Sequence, residues 1–117
     1  MHEIHDHKTN AANEKMQIIA LDDLGPGGAN HAYQLDWGAG SLVVLFQKGP
    51  IAEVGANGVT NEALLALVID RMRAFQMGDF ACEENAEALH HLILAMGALR
   101  RRTAGRVARG VEGTNTP

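Results

Sequence analysis

From Leu89 to Thr103 one series of positions steps alternately by three and four residues: Leu89, Leu92, Met96, Leu99, Thr103. That spacing lays a single stripe along one side of an α-helix, the a/d seam of a helix that packs lengthwise on another helix. An earlier series, Leu64, Leu65, Val68, Ile69 and Met72, also recurs at helical spacing. Thr60 is its candidate N-cap, with Glu62 in the first turn. The pattern predicts one helix over 61–75, ending before Gly78, and a second over 83–106, for which Asp79 is the candidate cap. The short linker around Gly78 brings the two together as an antiparallel hairpin. Gly97 costs the second helix about 1 kcal/mol relative to Ala. Gly105 weakens its last turns, so residues 110–117 are expected to be an extended or mobile tail.

The first half has a different period. Residues 2–8 alternate in type, 16–21 (MQIIAL) favour a strand, 32–37 return, and 42–47 (LVVLFQ) form the most apolar strand candidate. Asn10 to Glu14 reads as a polar break, Gly25-Pro26-Gly27-Gly28 as a hairpin turn, Gly38-Ala39-Gly40 as another, and Gly49-Pro50 as a stop. The expected fold class is therefore α+β: a small N-terminal antiparallel β-sheet followed by a C-terminal antiparallel helical hairpin. At 117 residues the chain is expected to be one domain, with a sheet portion at 1–54, a hairpin portion at 60–109 and a tail at 110–117. A core this small gains from oligomerisation.

Charge is unevenly placed. Residues 1–99 carry five basic and thirteen acidic groups, a net −8, whereas residues 100–117 carry five basic and one acidic, a net +4. An acidic body with one basic stripe suits a compact anion and repels a long polyanion. Arg102, Arg106 and Arg109 lie at i, i+4 and i+7, within one narrow helix face. Guanidinium groups grip phosphate oxygens through paired, charge-assisted hydrogen bonds. A solvated face complementing the helix dipole is the plainer use of such arginines, but no acidic residue is interleaved among the five. Phe75 and Phe80 flank the linker. The first expectation for each is a place in the core, and one left partly open could stack on a nucleobase. Asn85, near a helix start, is of a type that caps helices or reads base edges.

Other chemistry finds little support. On a strand, His5 and His7 would share a face, but no further ligands converge on them, so no metal is expected. His90 and His91 diverge around a helix and read as surface residues. Cys82 is alone, which excludes an intrachain disulfide, fits a reducing cytoplasm and favours a small buried side chain. The glycines at 25–28 lack phosphate-loop spacing. There is no serine elbow, paired catalytic carboxylates or HExxH motif, so no enzyme and no cofactor are expected. No apolar run approaches the roughly 20 residues that a membrane span needs, and the N-terminus lacks a signal-peptide pattern. A nucleic-acid-binding regulatory module using the arginine helix is the alternative reading. The acidic body and the lack of a helix-turn-helix or zinc-finger pattern weigh against it.

A set of segments in order carries a resemblance: His5-Asp6-His7-Lys8, Gly27-Gly28-Ala29-Asn30-His31, Phe46-Gln47-Lys48-Gly49-Pro50-Ile51, Asn57-Gly58-Val59-Thr60-Asn61-Glu62, Val68-Ile69-Asp70-Arg71, Glu84-Asn85-Ala86, Arg102-Thr103 and Arg109-Gly110-Val111-Glu112-Gly113-Thr114. Together they resemble the phage Thoeris anti-defence protein family, first member, over nearly the whole chain. The resemblance implies a sponge that binds and sequesters glycocyclic ADP-ribose, the immune signal of a bacterial Thoeris system, without degrading it. It implies action in the cytoplasm of the infected host and assembly as a homodimer or a hexamer built from dimers. Some hexameric members also bind cyclic trinucleotides of the kind used in CBASS immunity, at separate sites. By position, the family's ligand residues fall on Phe75, Asn85, Arg102 and Arg106, with Arg109 the next contributor. Where the family usually carries an acidic pair and a tryptophan, this chain has Ile93 to Leu99.

Asn85 and Arg102 are 17 residues apart, roughly 25 Å along one straight helix. A small cyclic nucleotide touching both needs the second from another subunit. Antiparallel pairing through the a/d seam would bring one chain's Asn85 beside its partner's Arg102, giving two pockets per dimer.

Overall fold

The computed structural model describes residues 1–117. The chain divides into two compact units, Met1–Val59 and Thr60–Pro117, and the class is α+β, with a four-stranded antiparallel sheet in the first unit and a helical hairpin in the second.

The sheet is a simple meander. Strands β1 (His2–Ile4), β2 (Gln17–Ala20), β3 (Ala32–Asp36) and β4 (Ser41–Leu45) lie in sequence order, each antiparallel to the next. Register is set by pairs such as Ile4↔Ile18, Ala20↔Tyr33 and Asp36↔Ser41. Strand β1 is shorter than the 2–8 expected, because the Lys8 N–H donates to the His5 carbonyl and turns the chain. His5 and His7 therefore lie in a turn and share no strand face. The His7 ring Nε2 is 2.6 Å from the Met16 carbonyl oxygen. The expected polar break after Asn10 is a one-turn helix, α1 (Ala11–Glu14), capped by the Asn10 side chain, which accepts from the Asn13 N–H.

The loop between β2 and β3 is held by Asp22. Its carboxylate accepts from the His31 N–H at 3.0 Å and the Ala32 N–H at 3.2 Å, and its carbonyl accepts from the Asn30 side chain. Gly27 and Gly28 adopt φ of 75° and 77° in a tight 3-10 turn, which is where glycine is needed. After β4, Phe46 forms a parallel bridge with Val59 and stands edge-on to Tyr33, ring centroids 5.6 Å apart. A further short helix, α2 (Ile51–Val54), follows Pro50; no periodicity announced it, since four residues make one turn.

In the second unit, α3 (Asn61–Gln76) and α4 (Glu83–Ala108) pack antiparallel. Thr60 caps α3 as expected, its hydroxyl accepting from the Ala63 N–H at 3.1 Å. The less exposed positions of α3 are Glu62, Leu65, Ile69, Met72 and Gln76, with Leu64 beside them. Those of α4 are Asn85, Leu89, Leu92, Met96, Leu99, Thr103 and Arg106, with Gly97 beside them. Both lists step by three and four, so the seam of α4 is spent on α3 of the same chain. It is not available to a second subunit, and any pairing between subunits has to use another face. The buried apolar core is small: Ala20, Ile69 and Met96. Phe80, expected inside, is 79% exposed, and Phe75 is 38% exposed.

Candidate functional site

The sequence-selected residues lie in the hairpin unit, at its two ends. At the linker end, the N-cap of α4 is Cys82, not Asp79. Its Sγ accepts from the Asn85 N–H at 3.4 Å, and the residue is exposed rather than buried. Gln76, at the end of α3, clamps Cys82 from both sides, donating to its carbonyl and accepting from its N–H. The Asn85 side chain donates to the Phe80 carbonyl at 3.2 Å. That bond fixes the amide and leaves its oxygen without a partner in the chain. Phe75 is the next-to-last residue of α3, and the Arg71 Cζ rests 5.3 Å from its ring centroid.

The other end holds the arginines, and there they divide. Arg102 is exposed and has neither a hydrogen bond nor an ion pair within the chain. Arg109 is exposed and donates to the Pro117 carbonyl at 2.6 Å. Arg106 is only 8% exposed. Its Nε donates to Glu112 at 3.0 Å, its Nη1 to the Thr116 carbonyl, and its Nη2 to the carbonyls of Val111 and Thr114. Arg106 is thus neutralised by a carboxylate six residues on, contrary to the reading that the stripe has no acidic partner. The tail is folded back on α4 and is not extended. One signal in the sequence could have shown this: Arg106 is the next step of the seam after Thr103, as Asn85 is the step before Leu89.

A shallow groove of about 120 Å³ runs between the helices, lined by Ala66, Ile69, Arg73, Ile93, Met96 and Arg100. It contains none of the sequence-selected residues, for a geometric reason. Residues two apart on a helix point about 200° apart. Arg73 and Arg100 face the groove, so Phe75 and Arg102, each two residues further on, point to the opposite flank. In an antiparallel pair these opposite sides coincide. Phe75 and Arg102 therefore share one flank, with half-exposed Val68 on the same side of α3. Helix α4 is continuous from Glu83 to Ala108, so Asn85 and Arg102 remain roughly 25 Å apart along it.

Most of this hairpin lies within a segment shared with known proteins. The family model described as Acb2/Tad1, hairpin domain, matches residues 40–104. The chain belongs to that family. The matched segment contains Phe75, Asn85 and Arg102, and stops short of Arg106, Arg109 and the tail. A relative from Bacillus phage SBSphiJ7, named Thoeris anti-defense 1, is 48% identical over 92 residues, which is 78% of this chain and 65% of the relative. The match thus spans a little under two thirds of that protein's length. No cluster of three or more His, Cys, Asp or Glu with metal-binding geometry is present, and no helix is long and apolar enough to cross a membrane.

Proposed function

We propose that the chain is a phage anti-defence protein directed against Thoeris immunity, acting as a sponge. It binds glycocyclic ADP-ribose in the cytoplasm of the infected cell and holds it without bond cleavage. The name of the relative from Bacillus phage SBSphiJ7 supports the anti-Thoeris direction. The observation that carries the binding mode is the hairpin flank on which a half-open aromatic ring and an unpaired guanidinium, Phe75 and Arg102, face the same way.

In this reading Phe75 stacks on the adenine, and Asn85 offers its free amide oxygen to a base or ribose edge. Arg102 and Arg109 hold the diphosphate. Arg106 acts first through the tail: four of its five N–H groups are engaged there, so its own contact with phosphate requires the tail to shift. The 25 Å between Asn85 and Arg102 places the two on one ligand only when they come from different subunits. We therefore assign the pocket to a homo-oligomer, a dimer or a hexamer of dimers, paired through the exposed flank and not the seam. Closure by a second subunit supplies the enclosure that tight small-ligand binding needs. Cyclic trinucleotides are candidate further ligands at other positions of such an assembly.

Calorimetric titration with glycocyclic ADP-ribose tests the proposal. A saturable heat is expected, with the ligand recovered unchanged after the complex is heated. No heat from the wild-type chain, or recovery of a linear product, overturns it.

A further inference from the structure

We infer that Arg71 is a ligand-binding residue, supplying at the linker end of the hairpin a guanidinium for a phosphate of the nucleotide whose base stacks on Phe75. The inference rests on the proposed nucleotide site and adds to it a residue that neither charge nor spacing singled out.

Three observations carry it. First, the Arg71 Cζ lies 5.3 Å from the centroid of Phe75, a ring that is itself 38% exposed, so the cation and the open part of the ring stand side by side. Second, Arg71 is exposed and makes no ion pair or side-chain hydrogen bond, although Asp70 precedes it. All five of its N–H donors are free while stacking holds the side chain in place. The residue four before Arg71 is Leu67, and the residue four after is Phe75. Third, Arg71 follows Leu64, Val68 and precedes Phe75 in the i, i+4, i+7, i+11 series, which puts it on the flank that Arg102 shares.

The consequence is chemical. Without Arg71, the Phe75 flank of the linker end offers a ring and an amide but no positive charge, since Arg73 faces the groove. It would bind a nucleoside as well as a nucleotide. With Arg71, the same end can bind base and phosphate together, and a second guanidinium from the partner's opposite end completes a clamp on a diphosphate. Two guanidinium groups held on separate helices match two phosphate groups better than a point charge does. The same arrangement gives selectivity for a nucleotide diphosphate over an uncharged nucleoside.

The experiment titrates glycocyclic ADP-ribose into the wild-type chain, Arg71→Gln, Arg71→Lys, Phe75→Leu and the Phe75→Leu/Arg71→Gln pair, with thermal melting of each. Arg71→Gln is expected to weaken binding at least tenfold with an unchanged melting temperature, and Arg71→Lys to recover part of the loss. Arg71→Gln should cost a similar factor in the Phe75→Leu background, because the guanidinium touches the ligand itself. Affinity of Arg71→Gln within twofold of wild type overturns the inference while leaving the proposed function intact. Loss that vanishes once Phe75 is Leu reduces Arg71 to a support for the ring and overturns it as well. Silence from the wild-type chain removes the proposed function, and this inference with it.

Discussion

The Nε of Arg106 is 3.0 Å from the Glu112 carboxylate, and the ion pair closes a turn that the backbone has already prepared. The Gly110 N–H bonds the Val107 carbonyl and the Val111 N–H bonds the Arg106 carbonyl, with Gly110 at φ 73°. This is the two-bond Schellman ending of a helix, which requires a left-handed residue at the position Gly110 fills. The reversed chain then presents the Val111, Thr114 and Thr116 carbonyls to the guanidinium. A buried cation with one carboxylate and three carbonyl acceptors is well compensated.

Removing that compensation is expected to loosen the tail. Glu112→Gln should destabilise the hairpin unit by about 1 kcal/mol, at the low end for a charge-assisted bond because Glu112 is partly exposed. Arg106→Ala should cost more, about 2–3 kcal/mol, since every tail contact it makes is lost together. Denaturant melts measure both, and amide exchange at Val111 and Thr116 should quicken in each variant. Melts that overlay the wild type would show that the tail is only resting there.

The core of the hairpin rests on few residues. Ile69 and Met96 lie at the middle of the seam and are its only buried apolar side chains. Ile69→Ala is expected to cost about 2–4 kcal/mol, and Met96→Leu under about 1.5 kcal/mol because volume is conserved. Urea unfolding checks the ranking. A larger penalty for Met96→Leu than for Ile69→Ala would mean that the seam is packed by shape and not by burial.

The long elements were legible because their periods are long enough to read. Helix α3 was expected at 61–75 and runs to Gln76; α4 was expected at 83–106 and runs to Ala108; three of the four strands fall within two residues of expectation. Short elements were not legible. Helices α1 and α2 are one turn each, and only the Asn10 cap and the residues after Pro50 mark them. Gly105 does not end α4, which runs on to Ala108. Residue type alone makes the arginine stripe one free face, and the structure splits it. Arg102 is open, Arg109 is tied to Pro117, and Arg106 is buried because the tail folds over it. The usual preference of cysteine is for the interior, but the exposed Cys82 uses its Sγ in place of the hydroxyl of an ordinary N-cap. The ends of a seam decide such cases, and they are where periodicity gives the least information.

Acid should unlatch the β2–β3 loop. Partial burial pushes the Asp22 carboxyl up, yet hydrogen bonds from the backbone N–H groups of His31 and Ala32 and from its own amide together hold it below the ordinary aspartate value. A carboxyl with a folded pKa below its unfolded one stabilises the fold above the unfolded value, near 4. That contribution is lost as pH falls through the folded value. Asp22→Asn is therefore expected to be less stable than wild type at neutral pH and to have lost part of the wild-type decline below about pH 4. Thermal melts across a pH series test this; parallel curves for the two proteins would show that Asp22 plays no part in acid sensitivity.

Gly58 is required by a close backbone approach. A Cβ there would meet the Phe46 carbonyl carbon at 2.5 Å and the carbonyl oxygens of Leu45 and Phe46 at 2.6 Å. These atoms belong to the strand end that bridges Val59, and they cannot move aside as a flexible side chain would. Gly58→Ala is expected to destabilise the sheet unit by more than about 1 kcal/mol, the reverse of the usual gain from replacing glycine. Ala at Gly105, where nothing stands within 4 Å, should instead stabilise α4 by up to about 1 kcal/mol. A stabilised Gly58→Ala would refute the contact.

Cys82 offers a prediction of opposite sign to most substitutions. Sulfur is a weak acceptor, and its 3.4 Å contact with the Asn85 N–H satisfies that donor poorly. Serine is among the residue types most preferred at this position. Its shorter oxygen can reach the same N–H while Gln76 goes on clamping the backbone of residue 82. Cys82→Ser is expected to raise stability by about 0.5–1 kcal/mol, and Cys82→Ala to lower it. Because the cap fixes the first turn of α4, alkylation of this exposed thiol should disturb Asn85, and with it the hydrogen bond to Phe80 and any ligand read by the amide. The serine variant should bind as the wild type does and resist the alkylating agent. Equal melting temperatures for the serine and alanine variants would show that the sulfur caps nothing.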